Sequence, residues 1–236
     1  MSITAITRAT AAHFAPGTER PVRGVSTTSP PQRAPLALGR RPSAPIEQTL
    51  LEPAALAPTI ETGRLLLRQH TIDDAEAWFR IQSDPEVIRY LPWPQRTAEE
   101  SFAHLERRAR HNSLAWRNDF LALAVVLDGQ LIGDVSMHLR TVTAPQREVE
   151  VGWLLDSAHS GRGYAREAAS ALLDFAFAQL GARTASAVID ERNLRSLALA
   201  RRLGFITQGR TGGTWRLLIN HRMLQSAASG VPNSLA

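Results

Sequence analysis

The junction between the run Glu148 to Leu155 and the helix-like stretch that follows it, made through Ser160-Gly161-Arg162-Gly163, constrains the fold of this chain more than any other segment. Val149, Val151, Trp153 and Leu155 alternate with Glu148 and Glu150, the period of a strand. Beyond the glycines, Ala165, Ala168, Ala169, Leu172, Leu173, Ala176 and Leu180 recur at helical spacing until Gly181 stops them. A strand that turns on glycines into a helix leaves backbone N–H groups unpaired at the positive end of the helix dipole, where a pyrophosphate is stabilised without side-chain charge. Arg162 can add a charge-assisted contact, while ordinary turn chemistry is the other use of such glycines. The stretch has no GK[ST] ending and no third glycine, which excludes a P-loop and the dinucleotide fingerprint.

The flanking pattern extends this into one α/β unit. Arg64 to Gln69 reads as a first strand. Thr71 with Asp74, and later Thr97 with Glu100, are capping-box starts for two helices, the first ending at Asp84-Pro85 and the second fading near Arg117. Phe120 to Leu127 and Leu131 to Leu139, split by Asp128-Gly129-Gln130, form a hairpin. Ala185 to Ile189 is a strand, Asn193 to Leu203 a helix, and Phe205 to Gln208 and Trp215 to Met223 the last strands. The expected fold is a mixed α/β domain, a mostly antiparallel sheet of about seven strands with helices on both faces.

Composition sets the boundaries. Residues 1–58, rich in Ala, Pro, Ser, Thr and Arg, show no sustained period and read as a disordered arm. Residues 59–226 form the domain, and 227–236 a frayed tail. Arg8, Arg20 and Arg23 faintly suggest a transit peptide, but without a secretory apolar run or a membrane-length segment the cytoplasm is expected. The chain has no cysteine, which removes disulfides, thiolate nucleophiles and Cys-ligated zinc. Its net charge of +5 comes from arginine alone, since the sequence contains no lysine. Most of these arginines alternate with acids along helices, so nucleic acid is not the expected partner.

The string EVGWLLDSAHSGRGYAREA, from Glu150 to Ala168, resembles the strand and loop of the GNAT superfamily of N-acetyltransferases, with signature Gln/Arg-x-x-Gly-x-Gly/Ala. Gly163 and Ala165 match the signature, and Ser160 departs from it. Glu61 to Leu65 with Arg68, Leu131-Ile132-Gly133, Asn193 to Ser196 and Leu203-Gly204-Phe205 carry the resemblance from Ile60 to Met223. The wording is similar to the branch that acetylates N-terminal amino groups of ribosomal proteins. The resemblance implies an enzyme that moves acetyl from acetyl-CoA directly to a primary amine, a peptide N-terminus or a small molecule, in a ternary complex. A non-catalytic acyl-CoA-binding module is the other reading. Metal is not expected, and monomer and homodimer both stay open.

By that resemblance the pantetheine arm lies where Glu150 to Leu155 and Ala185 to Ile189 splay apart, against Trp153, Leu154 and Leu155, with Asn193 as side-chain partner. The pyrophosphate lies on Ser160, Gly161, Arg162, Gly163, Tyr164 and Ala165. Acetyl transfer needs a neutral amine, so a base is required. Glu148 and Glu150 share one strand face, and shielding a carboxylate from water raises its proton affinity. The resemblance favours Glu150, leaving Glu148 beside the acceptor and His138 as an alternative base, a partly exposed strand residue on its bland reading. Many relatives carry a tyrosine where this chain has Ala200. Ser196, one helical turn earlier, is then the candidate acid, or an ordinary first-turn serine. Tyr90 and Trp93 would line the acceptor wall by analogy, or simply pack a loop onto the core.

Overall fold

The computed structural model describes Thr4–Ala5 and residues 50–221. Eleven strands occur among these residues: β1 (Thr4–Ala5), β2 (Leu50–Leu56), β3 (Ile60–Glu61), β4 (Leu66–Gln69), β5 (Ser113–Trp116), β6 (Phe120–Leu127), β7 (Gln130–Thr141), β8 (Glu148–Leu155), β9 (Thr184–Asp190), β10 (Ile206–Thr211) and β11 (Thr214–Asn220). The helices are α1 (Ala75–Ser83), α2 (Pro85–Ile88), α3 (Ala98–Arg110), α4 (Tyr164–Asp174) and α5 (Leu194–Arg202). Nine strands form one sheet in the order β10-β11-β9-β8-β7-β6-β4-β3, with β1 added beside β8. Only the β8–β9 pair is parallel. This is the expected mixed α/β architecture.

The period of β6 divides the core in two. Leu121, Leu123 and Val125 pack with Val149, Val151, Trp153 and Leu155 of β8 and with the alanines and leucines of α4. Ala124 and Val126 turn to the other face and pack with Trp78, Ile81 and Leu105 of α1 and α3. Helices therefore cover both faces, and each carboxylate or apolar residue of β8 is assigned to a face by its parity. Among the described residues no helix is long and apolar enough to cross a membrane.

Several boundaries move. The Thr71/Asp74 and Thr97/Glu100 capping boxes both form, but the second helix ends at Arg110 rather than near Arg117. There the chain turns at His111 into β5, whose Leu114 is fully buried. The partner of β5 is β2, which lies inside the expected arm: Leu51 joins the core, so apolar burial holds this stretch although its sequence lacks a period. Thr4 and Ala5 of the arm also form a strand. Residues 6–49 and the expected tail at 227–236 lie outside the described residues. Pro85 stops α1 yet opens α2, because the Asp84 carboxylate caps it by accepting from the Glu86 N–H (2.9 Å). After Asp174 the long helix widens into a π turn, Phe175–Gln179, which keeps Phe177 and Leu180 against the core.

Between α1, α3 and β7 lies a buried polar cluster. Arg68 grips Asp74 with two hydrogen bonds of 2.9 and 2.7 Å, and Asp134 receives Arg108 (3.1 Å) and His70 (2.9 Å). Burial alone would raise the Asp74 pKa, but hydrogen bonds from Arg68, His70 and the Thr71 N–H take it well below the carboxylate range. His104 is 0 % exposed and accepts from the Trp78 indole N–H (3.3 Å). Burial first, then the guanidinium of Arg108, drives its pKa well below the ordinary histidine value. The unfolded chain therefore takes up a proton near pH ~6.5 that the folded chain refuses, and stability falls as pH drops below that point, by at most about 1.4 kcal/mol per pH unit for one group. Thermal melts from pH 7 to 5 should show this slope, and His104→Gln, which keeps an acceptor for the indole, should flatten it; an equal slope in both proteins would exclude His104 as its source.

Candidate active site

The turn after β8 is built for close approach. Gly161 and Gly163 have φ of 81° and 85°, the left-handed region, and Gly163 caps α4. A Cβ placed on Gly161 would meet no atom within 4 Å, so what the position demands is the backbone angle, and the space before it is open. Gly161, Arg162 and Gly163 are all exposed at the N-terminus of α4. The Ser160 Oγ is shielded and makes no hydrogen bond among the described residues. Unpaired amides, a helix dipole and a spare hydroxyl fit a diphosphate.

This loop is held by residues that the sequence pattern did not single out for a role. Glu167, in the first turn of α4, accepts from the Thr62 hydroxyl (2.6 Å), the Arg64 N–H (2.8 Å) and Arg64 Nε (2.8 Å). Arg64 also donates to the Arg162 carbonyl (3.0 Å), and its guanidinium lies 4.5 Å from the Tyr164 ring centroid. Burial would raise the Glu167 pKa, but the hydrogen bonds from Thr62 and Arg64 lower it below the usual value. Tyr164 thus serves the clamp through its ring, and Ala165 is buried beneath the loop.

Next to the loop the sheet opens. β8 and β9 pair only at Glu148/Thr184, Val149/Ala185 and Glu150/Ser186. From Val151 to Leu155, β8 keeps β7 on one edge and has no β9 partner on the other. Asn193 is buried at the start of α5 and uses its Oδ1 to accept from the Ser196 N–H (3.1 Å). Ser196 is fully buried and its Oγ accepts from the Trp153 indole N–H (3.3 Å), so the first-turn serine is turned toward the β8 strand. Ala200 is also fully buried, so that helix presents no phenol.

On the opposite face, at the start of β8, lies a cavity of about 450 Å³ lined by Glu148, Glu150, Arg117, Asn118, Arg140 and Arg216, among others. Glu150 is 8 % exposed. Its Oε2 accepts from Arg140 Nε (3.0 Å) and Nη2 (2.9 Å), and its Oε1 has no hydrogen-bond partner among the described residues. Glu148 is held by Arg216 and by the Ser186 hydroxyl (2.8 Å). Both glutamates expected at the acceptor therefore meet in one cavity. His138 stands opposite Glu150 in the β7–β8 register and is buried against Phe120, not partly exposed.

Neither Tyr90 nor Trp93 lines this cavity. Trp93 is covered by Arg96, 4.7 Å above its ring, and leans on His104, which places it with the polar cluster of α1 and α3. Burial and the neighbouring charge of Arg108 lower the Arg96 pKa to about 10. Tyr90 lies between Arg89 and Arg192, the latter in the turn before α5, and so stands nearer the opening between β8 and β9.

Comparison with known proteins bears on the family and the fold. The family model for the acetyltransferase (GNAT) domain matches residues 64–206. An uncharacterized N-acetyltransferase of Bacillus subtilis, YoaA, is 31 % identical over 162 residues, 64 % of this chain and 85 % of that protein. In fold the chain is similar to a spermidine N-acetyltransferase from Vibrio cholerae solved with CoA and spermine (TM-score 0.57, 18 % identity, 70 % of this chain and 99 % of that one). It is also similar to a proposed ribosomal-protein-serine acetyltransferase from Vibrio cholerae (TM-score 0.59, 20 % identity, 70 % and 99 % covered). An alanine at Gly161 would have to hold a left-handed φ at a cost of about 1–2 kcal/mol or turn its amides away. Gly161→Ala should therefore weaken CoA binding about 5- to 30-fold by calorimetry, with little change in melting temperature; unchanged affinity would remove the loop from the cofactor site.

Proposed function

Because the chain belongs to the GNAT acetyltransferase family by the match over residues 64–206, and is an acetyl-CoA-dependent N-acetyltransferase, we propose that it passes acetyl directly to a primary amine in a ternary complex, with Glu150 as the base. The observation that carries this reading is the Glu150 side chain, buried in the cavity wall with one oxygen anchored by Arg140 and the other without a hydrogen-bond partner among the described residues. An ammonium entering the cavity must lose a proton before its nitrogen can attack, and Oε1 is placed to take it, directly or through water. Arg140 fixes the rotamer and leaves Oε1 turned to the cavity. Bound acetyl-CoA supplies the activated acyl group and a thiolate leaving group.

The two faces of the sheet assign the partners. Glu148 and Glu150 project to one face, while Val151, Trp153 and Leu155 project to the face of α4 and α5. The gap beyond Glu150 and Ser186 joins the two, so acceptor and cofactor approach from opposite sides and meet there. In this reading the loop from Ser160 to Ala165 holds the pyrophosphate, the edge of Trp153, Leu154 and Leu155 that β9 leaves receives the pantetheine amides, and Asn193 rigidifies the start of α5 beside it. Ser196, oriented by Trp153, gives a proton to the departing sulfur. A thiol with a pKa near ~8.5 needs little help, so this contribution is small.

For the acceptor we favour a peptide N-terminus or a small monoamine. Arg117, Arg140 and Arg216 line the cavity against Glu148 and Glu150, a balance that repels a polycation. The Vibrio cholerae enzyme solved with spermine marks the opposite preference within the same fold. We place the protein in the cytoplasm.

In a thiol-release assay, Glu150→Gln should lower kcat by about 10²-fold or more while CoA affinity holds, the loss expected for a missing base. Ser196→Ala should cost about 10-fold or less. Peptide N-termini should be turned over in preference to spermine; full activity of Glu150→Gln, or a preference for spermine, would overturn the respective assignment.

A further inference from the structure

The opening between β8 and β9 is already entered by the chain itself. Thr4 pairs with Leu154 and Ala5 with Trp153, antiparallel to β8. A strand has two edges, and β7 uses one of them over the same residues, pairing Asp134 with Leu154 and Val135 with Trp153. The added strand must therefore lie on the edge that faces β9, and it comes close to both β9 and α5. This is the stretch where β8 lacks a β9 partner.

We propose that Thr4–Ala5 is an internal competitor of acetyl-CoA, a strand that occupies the pantetheine's place in the resting enzyme and must leave before the cofactor can bind. The proposal rests on the reading that the pantetheine amides pair with β8 in this opening. Backbone groups of Trp153 and Leu154 on one edge can serve a peptide or the amides of the pantetheine arm, not both at once. The direction also fits: antiparallel to β8, the chain runs from the phosphate-loop end toward Glu150, over the span that links a diphosphate to its thioester. A pairing of two residues is weak in itself, but tethering gives it a high effective concentration. Apparent CoA affinity is then reduced by the fraction of molecules whose opening is free. Because the strand has left before acetyl-CoA binds, its release changes the concentration of acetyl-CoA needed and not the rate once it is bound.

The test uses the full chain and its Thr4→Pro/Ala5→Pro double variant, in which neither position can donate an N–H to the β8 ladder. Calorimetry with CoA should give about 3- to 10-fold tighter binding for the variant, with kcat at saturating acetyl-CoA unchanged and KM lowered to match. A synthetic peptide of residues 1–9, added to the variant, should restore the weaker affinity competitively with CoA. In the parent chain, saturating CoA should expose the Thr4 and Ala5 amides to hydrogen exchange. Equal affinity of both proteins with undiminished protection of these amides would overturn the competitor while leaving the cofactor site intact; absence of CoA binding to either protein would overturn the cofactor site and the competitor with it.

Discussion

Everything at the centre of this molecule depends on β8 parting from β9 after Glu150 and Ser186. Up to that point the two strands satisfy each other's backbone groups. Past it, one edge of β8 has lost its neighbour in the middle of a covered sheet, where unpaired amides and carbonyls are costly. In the structure Thr4 and Ala5 satisfy part of this edge, and in our proposal the pantetheine arm takes their place. The glycine loop stands at one end of this edge and the Glu150 cavity at the other, so a single irregularity in strand pairing sets the distance between the proposed cofactor loop and the proposed base.

Rigid surroundings make the irregularity reproducible. Glu167 ties Thr62 and Arg64 to the first turn of α4, so the first strands of the domain hold the glycine loop from outside. Arg140 of β7 does the same for Glu150 at the far end. On the other face, α3 and the turn ahead of α1 are locked to β7 through Arg108, His70 and Asp134. The buried charges among them are paired, as burial requires, and the Arg64–Glu167 and His70–Asp134 pairs join elements distant in sequence.

Local signals were legible and long-range ones were not. The alternation of Glu148 to Leu155, the hairpin at Asp128-Gly129, both capping boxes and the glycines at 161 and 163 each depend on neighbours within a few residues, and the structure places them as read. The meeting of Glu148 with Glu150 in one cavity followed from strand parity alone. By contrast, the Arg64–Glu167 clamp spans 103 residues and the Arg140 contact depends on the β7–β8 register, neither of which leaves a periodic trace. The β2–β5 pair was missed for a related reason: Leu51 and Leu114 are ordinary apolar residues whose burial only the folded partner reveals. Analogy points Trp93 toward the acceptor, whereas its ring lies under Arg96 and against His104, apart from the residues lining the Glu150 cavity.

The ion pairs that hold Glu148, Glu150 and Glu167 share one chemical trait: the cation in each is a guanidinium, in a chain with no lysine. A lysine amine loses its proton often enough to attack a thioester, and once acylated it carries no charge. Guanidinium stays protonated at any physiological pH and offers no nucleophilic nitrogen. In the proposed site, Arg64, Arg140 and Arg216 can therefore meet an activated acyl donor for many turnovers without being consumed by it, so the scaffold around it is inert to the reagent.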